Sequence, residues 1–151
     1  MELIVKDDAF FSHAGGRIFG TIYFHADEYA FPCVDWTDFT EEVLTMWANE
    51  LLNRNNRHYS HFTLYFMDGD YWLDVCKDNK MHLTVKCMDN NTSVHEFECD
   101  YFDFLSIVND GMRSLLSLLH KRQKEAIDRD FSNTIRCLER FSDQIEHAIP
   151  I

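Results

Sequence analysis

Cys87 and His95 are the residues whose types and spacing come nearest to nucleophilic chemistry. Strand-like runs on either side of Asn90-Asn91-Thr92 set the thiol opposite the imidazole once they pair as an antiparallel hairpin. Both side chains then fall on the apolar face of that hairpin, under a helix and away from any substrate, so His95 reads as a hydrogen-bonded core histidine. His58-Tyr59-Ser60-His61 is the tightest histidine pair, followed by His82 and His95, but helical metal pairs use i, i+4 spacing and this one straddles a polar loop entering a strand. Gly15-Gly16 lacks the Lys-Ser/Thr of a phosphate loop and the three-glycine spacing of a dinucleotide fingerprint, which leaves a turn. Glu50 falls at an angle inside the apolar arc of its helix, with Arg54 one turn on as its partner. The sequence therefore predicts no catalytic residue, no metal site and no cofactor. Cys33, Cys76, Cys87, Cys99 and Cys137 are odd in number and widely spaced, a pattern of small hydrophobes in a reducing compartment.

The residues that rise above this background suit recognition. A meander over 62–99 turns Thr63, Tyr65, Trp72, Asp74, Thr84, Lys86, Glu96 and Glu98 to one outer face, where aromatics stand beside carboxylates. The same residues also form good cross-strand pairs, Tyr65 with Trp72 and Trp72 beside Lys86, so the face can serve the fold alone; the N-terminal strands or the last helix are the elements that would cover it. Tyr65, Trp72, Asp74, Glu96 and Glu98 are the candidate partner-binding residues, joined by Glu41 and Glu42 on the polar arc of a helix. Residues 1–110 hold 20 acids and 7 bases, a net −13, while 111–151 hold 6 acids and 7 bases, a net +1. Such a field repels a nucleic-acid backbone and attracts a basic protein. No apolar run reaches the ~18 residues needed to span a bilayer, and Met1–Ala9 carries Glu2, Asp7 and Asp8, unlike a signal peptide. A cytoplasmic protein is expected, with the sequons at Asn90 and Asn91 serving as turn chemistry.

The elements that must position this face follow from periodicity. Leu3–Val5 and Arg17–His25 read as strands, with Ile18, Ile22 and Phe24 alternating against Phe19, Thr21 and Tyr23. After Pro32 a helix runs to about Asn53, capped by Asp35 and stapled by Val34 on Phe39, with Asp38, Glu41, Glu42, Thr45 and Asn49 on its solvated arc. In the meander, a two-residue turn at Asp68-Gly69 pairs Leu64 with Leu73, Phe62 with Val75 and Tyr65 with Trp72. A three-residue loop Asp78-Asn79-Lys80 would pair Val75 with Leu83 and Leu73 with Val85, and a three-residue loop at Asn90-Asn91-Thr92 sets Val85 against Phe97 and Lys86 against Glu96. From Asp100 the stripe Tyr101, Phe104, Leu105, Val108, Met112, Leu115, Leu116, Leu119 is helical and should cover the apolar face of the meander. A second stripe, Ile127, Phe131, Leu138, Phe141, Ile145, is displaced by about 130° at 100° per residue, so the helix breaks between about Lys121 and Asp130, with Asp128 or Asp130 as the next cap. One unbroken helix would also be roughly 70 Å long, against a radius of gyration near 15 Å. The expectation is a single α+β domain over 1–151: an antiparallel sheet of about six strands, including the four-stranded meander, packed on about three helices.

Phe31-Pro32, then Trp36-Thr37-Asp38-Phe39, then Val43-Leu44 and Trp47 resemble a pattern met in small bacterial proteins similar to immunity proteins of polymorphic and contact-dependent toxin systems. The resemblance covers some 30 residues from Ile18 to Trp47 and transfers no contact residue. It implies a cytoplasmic protein that binds and blocks one cognate toxin domain, often a basic nuclease. Two other classes stay open: an enzyme acting on a small molecule through histidine and carboxylate groups, and a homo-oligomeric scaffold using the final helices.

Overall fold

A computed structural model describes residues 1–6, 12–14, 17–55, 59–125 and 130–150. They form an α+β fold of two antiparallel sheets and three helices. The first sheet is built around β3 (Arg17–Ala26), with β1 (Glu2–Lys6), β2 (Ser12–Ala14), β4 (Tyr29–Phe31) and β5 (Thr37–Phe39) as its flankers. Thr21 pairs with both Lys6 and Thr37, Phe24 with Leu3 and Phe31, and Phe19 with Ser12 and Phe39. Hence β1 and β2 line one side of β3 and β4 and β5 the other. The β3–β4 hairpin turns on Asp27 and Glu28, both left-handed at φ 51° and 65°, the conformation a tight two-residue turn demands. Thr21 and Tyr23 are buried along with Ile18, Ile22 and Phe24, so β3 is covered on both faces. Gly15-Gly16 lies outside the described residues.

The first helix, α1 (Thr40–Asn53), starts later than its sequence signals suggest. Asp35 does not cap it: that residue sits at φ 60° and ion-pairs with Lys6, while Val34 is 63% exposed and staples nothing. Asp38, expected on the solvated arc, is fully buried in β5. Val43, Leu44, Trp47, Ala48 and Leu51 form the buried stripe of α1, and Arg54 holds Glu50 at 3.0 Å as the i, i+4 spacing predicts.

The second sheet runs in the order β6 (Ser60–Tyr65), β7 (Tyr71–Lys77), β8 (His82–Asp89), β9 (Thr92–Asp100). Its first hairpin has the predicted register, Leu64 on Leu73 and Tyr65 on Trp72. The second does not: Val75 pairs with Val85, Leu73 with Cys87 and Lys77 with Leu83. Five residues, 78–82, separate the last paired positions rather than three, because the Asp78 carboxylate accepts the Lys80 and His82 amides at 2.8 and 3.0 Å and Met81 takes φ 64°. A slip of two residues keeps every side chain on its face. At the third turn Asn90 and Asn91 form the loop with φ 43° and 70°, and a bulge between Cys87 and Met88 absorbs the extra residue, so Val85 still meets Phe97 and Lys86 still meets Glu96. Leu64, Leu73, Val75, Leu83, Val85 and Phe97 are all buried, as their phase requires.

Two helices follow, α2 (Tyr101–Glu125) and α3 (Ser132–Ala148). Asp100 caps the first by accepting the Phe102 and Asp103 amides, and Asp130 accepts the Ser132 amide at the start of the second; Ile127 and Asp128 lie outside the described residues. Within the predicted stripe Leu115 is fully buried, whereas Leu116 is only partly so. The sheets meet where Phe24 stacks on Phe97 with centroids 5.2 Å apart, beside Phe104 of α2. Tyr101 ties α2 to the end of α1 by donating its hydroxyl to the Leu51 carbonyl at 2.6 Å, and buried Ser142 of α3 donates to Asn109 of α2 at 2.7 Å. No helix among the described residues is long and apolar enough to cross a membrane.

Candidate partner-binding face

The outer face of the second sheet consists of cross-strand rows. Tyr65 stands beside Trp72 with ring centroids 6.3 Å apart, and Trp72 faces Met88 on β8. The expected neighbour of Trp72, Lys86, instead sits between Asp74 and Glu96 in the row Thr63, Asp74, Lys86, Glu96. The third row is His61, Cys76, Thr84, Glu98, and His82 lies opposite Asp100. Tyr65, Lys86, Glu96 and Glu98 are exposed, while Trp72 and Asp74 are half-buried by their neighbours. Tyr65 keeps 52% of its surface, so neither the N-terminal strands nor α3 covers its end of the face.

Two histidines complete this surface. His61 pairs with Asp74, and His82 Nε2 stands 3.7 Å from Glu98 Oε2. Their signal was present in the strand alternation, since His61 shares the phase of Thr63 and Tyr65. Cys76 is exposed on the same face and Cys33 is exposed between β4 and β5, so these two are not the buried hydrophobes expected of them.

Glu41 and Glu42 belong to another part of the surface. They occupy the first turn of α1, where the helix dipole favours acids. Glu42 is engaged: Arg17 donates its Nε to Glu42 Oε1 at 3.0 Å while its guanidinium lies 3.8 Å from the centre of the Phe39 ring. The two glutamates line a cleft of about 420 Å³ with Met46, Met67, Cys137 and Phe141. A smaller cleft of about 200 Å³ shares Met46 with it and is lined further by Trp47, Glu50, Thr63, Leu64 and Tyr65. The structure thus joins Tyr65, Trp72, Asp74, Glu96 and Glu98 in one sheet face and sets Glu41 and Glu42 apart on the helix side of Tyr65.

No family model, curated protein or solved structure matches the chain. Its chemistry is read from its own residues.

Cys87 does lie opposite His95, yet burial pushes its thiol up to about 12, leaving it protonated at neutral pH. His95 is half-buried and stacks on Tyr29 with centroids 4.6 Å apart; its Nε2 is enclosed without a hydrogen-bond partner, contrary to the expectation of a satisfied core histidine. Among the described residues no group of three or more His, Cys, Asp or Glu side chains is arranged to hold a metal, and His58 lies outside them.

The carboxylate that sequence reasoning missed is Asp38. One oxygen accepts Trp36 Nε1 at 3.1 Å and the Met67 amide at 3.0 Å, the other accepts the Phe39 amide at 2.7 Å, and the Asp68 amide reaches both at 3.1 Å. Burial pushes its carboxyl above the ordinary range against the pull of these donors. Asp38 therefore fastens the β6–β7 turn to β5 and holds Tyr65 and Trp72 relative to the rest of the protein.

Proposed function

We propose that this protein is a non-catalytic binding protein, an immunity protein that binds and neutralises a cognate basic toxin domain, such as a nuclease, inside the bacterial cytoplasm. The observation that carries the reading is the uncovered face on which Tyr65 and Trp72 adjoin Asp74, Glu96 and Glu98. Aromatic anchors flanked by carboxylates supply both requirements of a tight complex with a cation: a desolvated centre that slows release and a charged rim that speeds encounter. A chain charge of −12 adds long-range attraction. The residues of the immunity-like pattern support the reading through the scaffold, since Phe31 and Trp47 are core and Trp36 and Asp38 hold a turn. Contacts to a toxin then fall on the sheet face, where sequences are free to vary without harming the core.

Co-expression with the product of the neighbouring open reading frame tests this directly. A complex should form whose association slows with salt, over a Debye length of about 8–10 Å. Trp72→Ala and Tyr65→Ala should raise the dissociation rate by an amount on the order of 2 kcal/mol, whereas charge removal at Asp74, Glu96 or Glu98, or at Glu41, should mainly lower the association rate. Glu42→Gln releases Arg17 as well and reports on both. Absence of any complex overturns the reading.

A further inference from the structure

We propose that the open edge of β9 is a docking site for an extended basic segment of a partner protein, which adds to the second sheet as a fifth strand. The sheet has two edges, and they are treated differently. On β6, Phe66 donates its amide to the Tyr71 carbonyl at 3.1 Å, so by strand alternation the backbone groups of His61, Thr63 and Tyr65 point away from β7. Helix α1 lies beside that edge: Trp47 donates its indole N–H to the Tyr65 carbonyl at 2.7 Å, and Arg54 reaches the Ser60 hydroxyl at 3.1 Å.

On β9 the phase is set by the Tyr101 amide, which donates to the Met81 carbonyl at 2.8 Å. Cys99, Phe97 and His95 therefore face β8, and Glu96 and Glu98 turn both their N–H and C=O groups to the outside. Among the described residues no strand pairs with that side, and Glu96 and Glu98 are exposed. An incoming strand would meet four free backbone groups there and lie directly beside two carboxylates on the outer face.

Charge selects the occupant. A second copy of this chain pairing edge to edge would set the row Glu96, Glu98, Asp100 against its own image, which places like charges across the new ladder. A strand with Lys or Arg at alternate positions gains ion pairs in the same register. The acidic row thus excludes self-association while admitting a basic partner, and the inference rests on the binding reading only for the partner's identity.

The test uses the whole protein and a synthetic peptide of alternating Lys and Val, followed by amide NMR and hydrogen exchange. The amides of Glu96 and Glu98 should gain protection with this peptide and not with its Glu-Val counterpart. N-methylation of one alternate set of peptide amides should abolish binding while methylation of the other set is tolerated. The double variant Glu96→Gln/Glu98→Gln, altered only at exposed side chains, should weaken binding by about two- to thirtyfold, the loss of two cross-strand charge pairs. No protection at Glu96 and Glu98, equal binding of the Glu-Val peptide, or an unaffected double variant overturns the proposal. A toxin complex that leaves these amides exchanging freely sinks the edge site alone. Peptide pairing on β9 without any toxin partner instead sinks the immunity reading and leaves the edge site standing.

Discussion

Replacing Asp38 with alanine should destabilise the protein by about 3 kcal/mol, and the figure follows from which donors lose their acceptor. Four N–H groups converge on this carboxylate. Met67 and Asp68 are exposed residues, so water replaces the acceptor for their amides. The Trp36 indole and the Phe39 amide belong to half-buried residues, and each costs about 1–3 kcal/mol when left unsatisfied. Asp38→Asn keeps one oxygen and sets an amide N–H₂ against the remaining donors, for a loss of about 1–2 kcal/mol. Urea unfolding at neutral pH reads both, and at a slope of about 2 kcal/mol/M the alanine midpoint should fall by about 1.5 M. The pH dependence has a definite sign. Because the folded carboxyl is raised, the stability contributed by its neutral form is fully present below the unfolded carboxylate range and is lost as pH rises through the folded value. The advantage of the native protein over Asp38→Asn should therefore shrink with rising pH and then level off. A loss below about 1 kcal/mol for Asp38→Ala would refute the reasoning, by showing that water satisfies all four donors as well as the carboxylate does.

Gly69→Ala should cost about 1–2 kcal/mol in thermal unfolding, since Gly69 sits at φ 73° and an added Cβ would come within 2.9 Å of the Tyr71 ring. Thiol titration of the folded protein near pH 8 should label Cys33 and Cys76 rapidly and leave Cys87 unlabelled until the chain unfolds, because the first two are exposed and the third is buried with its thiol near 12. Leu115→Ala should lose about 2–5 kcal/mol and Leu116→Ala clearly less, as only the former is fully buried; equal losses in chemical denaturation would contradict the orientation of α2.

The sheet face was legible in the sequence because side-chain alternation reports parity. Every assignment of Thr63, Tyr65, Trp72, Asp74, Glu96 and Glu98 to the outside depends on odd or even position, and a slip of one residue would have exposed Leu73 and Val75. Register was not legible to the same degree. A slip of two leaves parity intact, and nothing local distinguishes a three-residue connection after Lys77 from the five residues, 78–82, that Asp78 organises. The start of α1 was misplaced because Asp35 and Asp38 have the spacing of a capping pair, while Asp38 is claimed by amides some thirty positions further along the chain. Glu42 shows the same limit, since its partner Arg17 lies 25 residues away on β3. The bulge after Cys87 was hidden by an arithmetic coincidence: a two-residue loop plus one extra residue yields the pairing of a three-residue loop.

The arrangement of the first sheet has a consequence for how the protein comes apart. Each of the four flankers pairs with β3, and among the described residues none pairs with another. Detaching one flanker breaks its own ladder and leaves the other three ladders on β3 paired. Losing β3 removes every ladder at once, together with Ile18, Ile22 and Phe24 from the core. The amides of β3 that point into these ladders should thus exchange only when the whole molecule unfolds, which makes this strand the keystone of its sheet.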